Sequence, residues 1–198
     1  MKGKVIRCPW CEGFEEYINY HDEEWGRPVH DDRVHFEFIV LEGAQAGLSW
    51  STILKKRGGY RKAFFNFDVD RVAKMRASDV NKLMKNPEIV RNRLKIESTI
   101  SNAKQFILLQ REFGSFDKYI WSFVDNTPVQ NNFSSLKEVP ASTVISDQIS
   151  KDLKKRGFRF VGTTIIYAYM QACGLVNDHL KTCFLHEKVS QKVQQKRR

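Results

Sequence analysis

Apolar residues return at helical intervals through most of this chain, and no stretch sustains the apolar–polar alternation of a half-buried strand. The clearest case runs from Ile89 to Phe113. There Ile89, Ile96, Ile100, Ala103, Phe106, Ile107 and Leu109 predict one long helix, with Gly114 as its stop. DDRVHFEFIVLE at 31–42 opens on Asp capping signals and repeats apolar positions with the same period. SDVNKLMKN from Ser78 predicts a short capped helix ended by Pro87, and FDKYIWSFV at 116–124 predicts another. Residues 125–141 are polar and turn-rich and read as a connection. The expectation is one all-α domain over residues 1–186.

The formal net charge is +10. Residues 187–198 hold Lys188, Lys192, Lys196, Arg197 and Arg198 against Glu187 alone, so most of the excess lies elsewhere on the chain. The segment is Lys/Gln-rich and is predicted to be a disordered basic tail. A basic protein with 12% aromatic residues suits a polyanionic partner, nucleic acid first; the alternative is charge that serves solubility. Apolar runs such as FILL at 106–109 are too short to span a bilayer, and MKGKVIRCPW lacks the apolar core of a signal peptide. The expectation is a cytoplasmic protein with no membrane contact.

Four cysteines without a secretion signal argue against a disulfide framework. In GLVNDHLKTC, His179 and Cys183 stand four residues apart after an apolar helix pattern, a spacing that on a helix suits two ligands of one zinc. Cys8 and Cys11 form a C-x2-C pair that is a metal or redox candidate. A thioredoxin-like reading of CPWC lacks its βαβ context. Cys173 lies in an apolar pattern and reads as a core filler.

SDQISKDLKKRG from Ser146 predicts a capped helix ending at Gly157. FRFVG follows, then a second helix from Thr163 to Gly174. A glycine-bounded turn between Gly157 and Gly162 can present free N–H groups at the second helix's start, suited to a DNA phosphate. Lys154, Lys155, Arg156 and Arg159 add positive charge. An ordinary αα-hairpin with a basic face is the alternative. In FIVLEGAQAGLSW, Glu42 follows Phe38 and Ile39 onto the apolar face. A buried carboxylate is costly unless it is paired or used. It is either neutralised by a core arginine, set at the edge of the stripe, or functional.

YINYHDEEWGRPVHDD, LEGAQAGLSWSTILKKR, LKKRGFRFVGTTI and MQACGLVNDH closely resemble bacterial DNA-3-methyladenine glycosylase I, over about residues 8–183. The resemblance implies a two-lobed, all-helical helix-hairpin-helix fold, with the hairpin over about 146–174. It implies a DNA repair enzyme that excises N3-methyladenine as the free base and leaves an abasic site. Its partners would be alkylated double-stranded DNA and the 3-methyladenine product, and it would act as a monomer. It also implies one structural zinc held by Cys8, His21, His179 and Cys183, although the local spacing leaves Cys11 as a competing ligand.

Carried over in the same way, Trp10, Tyr17, Tyr20 and Trp50 would stack on the base, whose cationic ring suits electron-rich aromatic faces. Ionised Glu42 would accept from the base's N–H groups and serve as the catalytic residue. Leu48 is the candidate to fill the gap left by the flipped nucleotide, with an ordinary buried leucine as the alternative. Lys154, Gly157, Arg159, Gly162 and Thr163 would hold the DNA backbone. Two absences imply a monofunctional enzyme. Asn177 stands where the wider superfamily carries a catalytic Asp, with Asp178 one position late. Thr164 stands where bifunctional members place a Schiff-base lysine.

Overall fold

The computed structural model describes residues 5–189. Its helices are α1 (Glu15–Glu23), α2 (Asp32–Gln45), α3 (Trp50–Ala63), α4 (Val69–Ala73), α5 (Ala77–Leu83), α6 (Arg93–Phe113), α7 (Phe116–Ser122), α8 (Val144–Lys155) and α9 (Thr163–Ala172). The architecture is mostly helical, as the periodicity predicts. Two short strands, β1 (Val129–Gln130) and β2 (Val176–Asn177), pair in parallel with Val129 opposite Val176. Two-residue strands leave no period in a sequence, and β1 lies in the segment read as a connection.

The adjacent aspartates before α2 do separate work. Asp31 accepts from the Arg33 and Val34 N–H groups and caps α2. Asp32 reaches across the fold, accepting from the Phe116 and Asp117 N–H groups at the start of α7 and from the Gln110 amide. The two aspartates thus satisfy donors that helices leave orphaned, Asp31 those of α2 and Asp32 those of α7.

Several predicted boundaries move. α6 begins at Arg93 rather than Ile89, because Asn92 accepts from the Lys95 N–H and caps the helix there. Ile89 is buried, but in the preceding loop, so its apolar character reports burial and not period. α5 is opened by Asp79 accepting from the Arg76 N–H, not by Ser78. α8 starts two residues ahead of Ser146, capped by Thr143; Ser146 sits inside the first turn, where it and Thr143 bond each other's N–H groups. The His179–Cys183 segment is not helical; a turn in which the Cys183 N–H donates to Leu180 O at 2.7 Å brings the two together.

α2 packs against α3, α6, α7 and α9, and every residue from His35 to Ala44 is buried. Phe36 on α2 packs edge-on to Phe106, which stacks on Phe116 with ring centroids 4.2 Å apart. A helix covered on all sides must account for each polar residue it carries. His35 bonds Tyr169 and Asp117. Glu37 accepts from Arg57 at 2.7 Å and Arg61 at 2.9 Å. Glu42 has no such partner among the described residues.

Residues 186–189 form a last helical turn with Val189 buried. The remainder of the predicted basic tail, from residue 190, lies outside the described residues. Among the described residues no helix is long and apolar enough to cross a membrane.

Candidate functional site

A cavity of about 310 Å³ opens where α1, the end of α2, the start of α3, α9 and a turn at Leu136–Glu138 converge. Trp10, Tyr17, Tyr20, Glu42 and Trp50, grouped by the sequence reading, all line it. Trp10 stands on a 3-10 turn at Pro9–Cys11, 5.2 Å from the Tyr17 ring. Trp50, the first residue of α3, packs 5.3 Å from Tyr20 and stacks on Phe38 at 6.4 Å. Ser49 caps α3 through the Thr52 N–H and so fixes where that indole begins.

Glu42 is 4% exposed and makes no hydrogen bond or ion pair among the described residues. The core arginine that could have neutralised it is engaged elsewhere, for Arg57 donates to Glu37 and Glu24. Burial alone pushes the Glu42 carboxyl up to about 8. Burial therefore favours the neutral acid, and an ionised Glu42 calls for a positive charge brought close to it. No Lys or Arg lines the cavity, so an entering cation meets aromatic faces and the Glu42 and Asp178 carboxyl groups. The Trp50 indole N–H is also buried without a partner. Buried polar groups without protein partners in one cavity mark it as a candidate ligand site.

Seven further residues line this cavity without a site role in the sequence reading, Asp178 and Trp25 among them. Asp178 is buried and accepts from Tyr167 at 2.6 Å, Asn131 at 2.7 Å and Gln171 at 2.8 Å. Trp25 lines the cavity from the turn after α1. A signal for Trp25 was present, since it follows His21 by four residues. Asn177 is fully buried, and its amide donates to Gln130 and to the His186 carbonyl, which makes it a fold-holding residue.

Leu48 is 42% exposed, just after Gly47 in a turn closed by its own N–H on Gln45 O. The buried-leucine alternative is thereby removed. In the α8–α9 turn, Gly157 adopts φ +90°, a conformation that favours glycine. Lys154, Lys155 and Arg159 are exposed there. Arg156 is not available, because it pairs with Glu112 and Asp152 at 2.6 Å each. Gly162 stands at the N-cap of α9 without a side-chain cap. The Thr163 hydroxyl is held by Asp147 and Ser146.

Beside the cavity, one ligand atom each from Cys8, His21, His179 and Cys183 lie within 4.8 Å of one another, all four residues buried. Sulfur and nitrogen ligands of a tetrahedral zinc stand roughly 3.6 Å apart. Cys183 Sγ is 3.5 Å from His21 Nε2 and 3.6 Å from His179 Nδ1, and Cys8 Sγ is 3.8 Å from His179 Nδ1. The other ring nitrogens face acceptors: His21 Nδ1 the Asp22 carboxylate at 2.8 Å, His179 Nε2 the Trp25 carbonyl at 3.2 Å. Each imidazole is thus turned so that its lone pair meets the thiols, the orientation a metal ligand requires. Cys183 is held below and Cys8 above the ordinary thiol range, each chiefly through the hydrogen bond between them. Cys11 stands outside the group, its thiol donating to Cys8 O at 3.1 Å. The residues fit a metal ion.

Residues 10–186 match the family model described as methyladenine glycosylase. The chain is 49% identical over 179 residues to DNA-3-methyladenine glycosylase of Haemophilus influenzae, covering 90% of this chain and 97% of that protein. A crystal structure of 3-methyladenine DNA glycosylase I superposes with a TM-score of 0.89 at 52% identity, covering 91% of this chain and all of that one. A solved variant of 3-methyladenine DNA glycosylase I in complex with 3-methyladenine is 36% identical, with a TM-score of 0.87 over 90% of this chain and 96% of that one. Matched along nearly its whole length in sequence and in fold, this chain belongs to the methyladenine glycosylase family.

Proposed function

We propose that this protein is a monofunctional DNA glycosylase that flips N3-methyladenine out of alkylated duplex DNA and excises it, leaving an abasic site. The observation that carries this reading is Glu42, a buried carboxyl with no hydrogen-bond or ion-pair partner among the described residues, in an aromatic cavity lined by no Lys or Arg.

Methylation at N3 gives the adenine a positive charge before the enzyme acts. When the C1′–N9 bond breaks, its electron pair moves onto the purine, which leaves neutral, while positive charge develops on the deoxyribose. Water then adds at C1′ and loses a proton. The base is already a good leaving group, so the protein's work is extrusion and recognition. Trp10, Tyr17, Tyr20 and Trp50 hold the cation by stacking and cation–π attraction, and exclude water. Arrival of that positive charge drives Glu42 to its carboxylate, which accepts from the base's N–H groups. Leu48 fills the vacated stack. Lys154, Arg159 and the turn bounded by Gly157 and Gly162, leading into Thr163, grip the backbone as a helix-hairpin-helix element.

Cys8, His21, His179 and Cys183 would hold one zinc as a closed structural site, and bound zinc supplies folding free energy by tying the chain's two ends together.

The test is release of free 3-methyladenine from methylated DNA by wild type and by Glu42→Gln. Wild type should release the base. The folded variant should be slower by on the order of 10²-fold, the scale for losing one well-placed electrostatic contact. A zinc-loaded wild type that binds DNA yet releases no base would reduce the protein to a DNA-binding module.

A further inference from the structure

The cavity and the Cys/His group share a wall, and that wall is Trp25. Its indole meets the His179 ring edge-on at 4.7 Å and 89°, and lies nearly parallel to the His21 ring at 6.2 Å. Its carbonyl accepts from His179 Nε2, and its N–H donates to the Tyr20 carbonyl at 2.9 Å. The next residue, Gly26, has φ +75°, and a Cβ there would stand 2.9 Å from His179 Nε2. The backbone at this point therefore has no slack against the imidazole. On its other side Trp25 faces the cavity and packs 4.8 Å from Trp10, itself 5.3 Å from His21.

We infer that Trp25 is a positioning residue that couples the Cys/His group to the base cavity, so that bound metal tightens base binding and bound base tightens metal retention. A metal fixes the planes of both imidazoles. Those planes set the Trp25 indole, which sets Trp10 and the cavity's depth. Preorganising a wall removes an ordering cost from the ligand that lands on it. The coupling must be reciprocal, because each ligand changes the other's affinity by the same factor. The inference rests on reading the cavity as the base site and the group as a metal site.

The experiment uses the full chain loaded with Co²⁺, whose ligand-field bands report the geometry of the four ligands, titrated with free 3-methyladenine. Transfer of zinc from the loaded protein to a competing chelator is then measured at equilibrium with and without saturating base. We expect the bands to shift and the equilibrium transfer to fall as zinc affinity rises by roughly fivefold or more, the lower end of usual coupling factors. In Trp25→Leu, at saturating base, both effects should shrink to less than twofold while the helical circular dichroism stays. Trp25→Phe should keep most of the coupling. If no metal is taken up at these four residues, the metal reading fails. If metal binds but 3-methyladenine does not, the cavity reading fails. If both bind while the bands stay fixed and transfer is unchanged, or if Trp25→Leu couples as wild type does, the coupling inference itself is overturned.

Discussion

Two buried polar regions lie side by side here, and they handle the cost of burial in opposite ways. In the Cys/His group every polar atom faces a partner: thiols meet imidazoles, one imidazole rests on Asp22 and the other on the Trp25 carbonyl. In the cavity, the Trp50 indole N–H is buried with no partner, and Glu42 makes no hydrogen bond or ion pair, among the described residues. Unpartnered polar groups in a native interior each cost on the order of 1–3 kcal/mol and survive where a ligand supplies the missing contact. On the proposed reading, the satisfied region would hold the fold and the unsatisfied one would recognise the base.

Breaking the satisfied region should have the largest effect. With zinc bound as proposed, Cys183→Ser or a chelator would remove a cross-link between Cys8 and His21 on one side and His179 and Cys183 on the other. Loss of several kcal/mol and a fall in Tm of on the order of 10 °C are expected, read by thermal denaturation with and without added zinc. Cys11→Ala gives the contrast. Its thiol touches only the Cys8 carbonyl among the four-ligand residues, so the loss should stay near ~1 kcal/mol and zinc stoichiometry should not change. Equal losses in the two variants would erase the distinction between the regions.

The unsatisfied region should behave the other way, with its stability set by pH. Glu42 is held near 8 in the fold by burial, above its value in an unfolded chain, so the folded state binds the proton more tightly. That contribution is fully present below the unfolded value of ~4.3 and is lost as pH rises towards and through 8. Glu42→Gln should abolish this decline and leave the variant more stable than wild type at pH 8.5 by on the order of 2–4 kcal/mol, while excision slows by on the order of 10²-fold. Denaturant midpoints at pH 6 and pH 8.5 decide it. A variant no more stable at the higher pH would mean that the carboxyl is satisfied after all.

Much of the fold was legible because period and caps are local signals. The stripe from Ile96 to Leu109, the Asp31 cap and the stops at Gly114 and Gly174 all follow from neighbours in the chain. What was not legible depends on partners far away. Ile89 looked helical because it is buried, and only the Asn92 cap separates it from α6. His179 and Cys183 were read as one helix face, yet a turn makes the same pairing, since spacing reports proximity and not conformation. The awkwardness of Glu42 was visible from its position. That Arg57 serves Glu37 and Glu24 instead could be learned only from the packing of α3 on α2.

The same division reappears, more weakly, on the α8–α9 surface. Arg156 is spent on Glu112 and Asp152, whereas Lys154 makes no ion pair among the described residues and is exposed. The sequence makes the two cations look alike; the structure separates them. Lys154→Ala should lower the slope of log K against log salt for duplex DNA by about 0.9, the share of one phosphate contact, with affinity for free 3-methyladenine unchanged. Arg156→Ala should leave that slope nearly intact and cost stability instead, by up to ~1 kcal/mol since its pairs are largely exposed. Fluorescence titrations across 50–200 mM salt, a range in which phosphate contacts separate clearly, read both variants. A slope that moved with Arg156 and not with Lys154 would mean that DNA breaks the Arg156 pairs on binding, and that a partnered charge on this surface is only on loan.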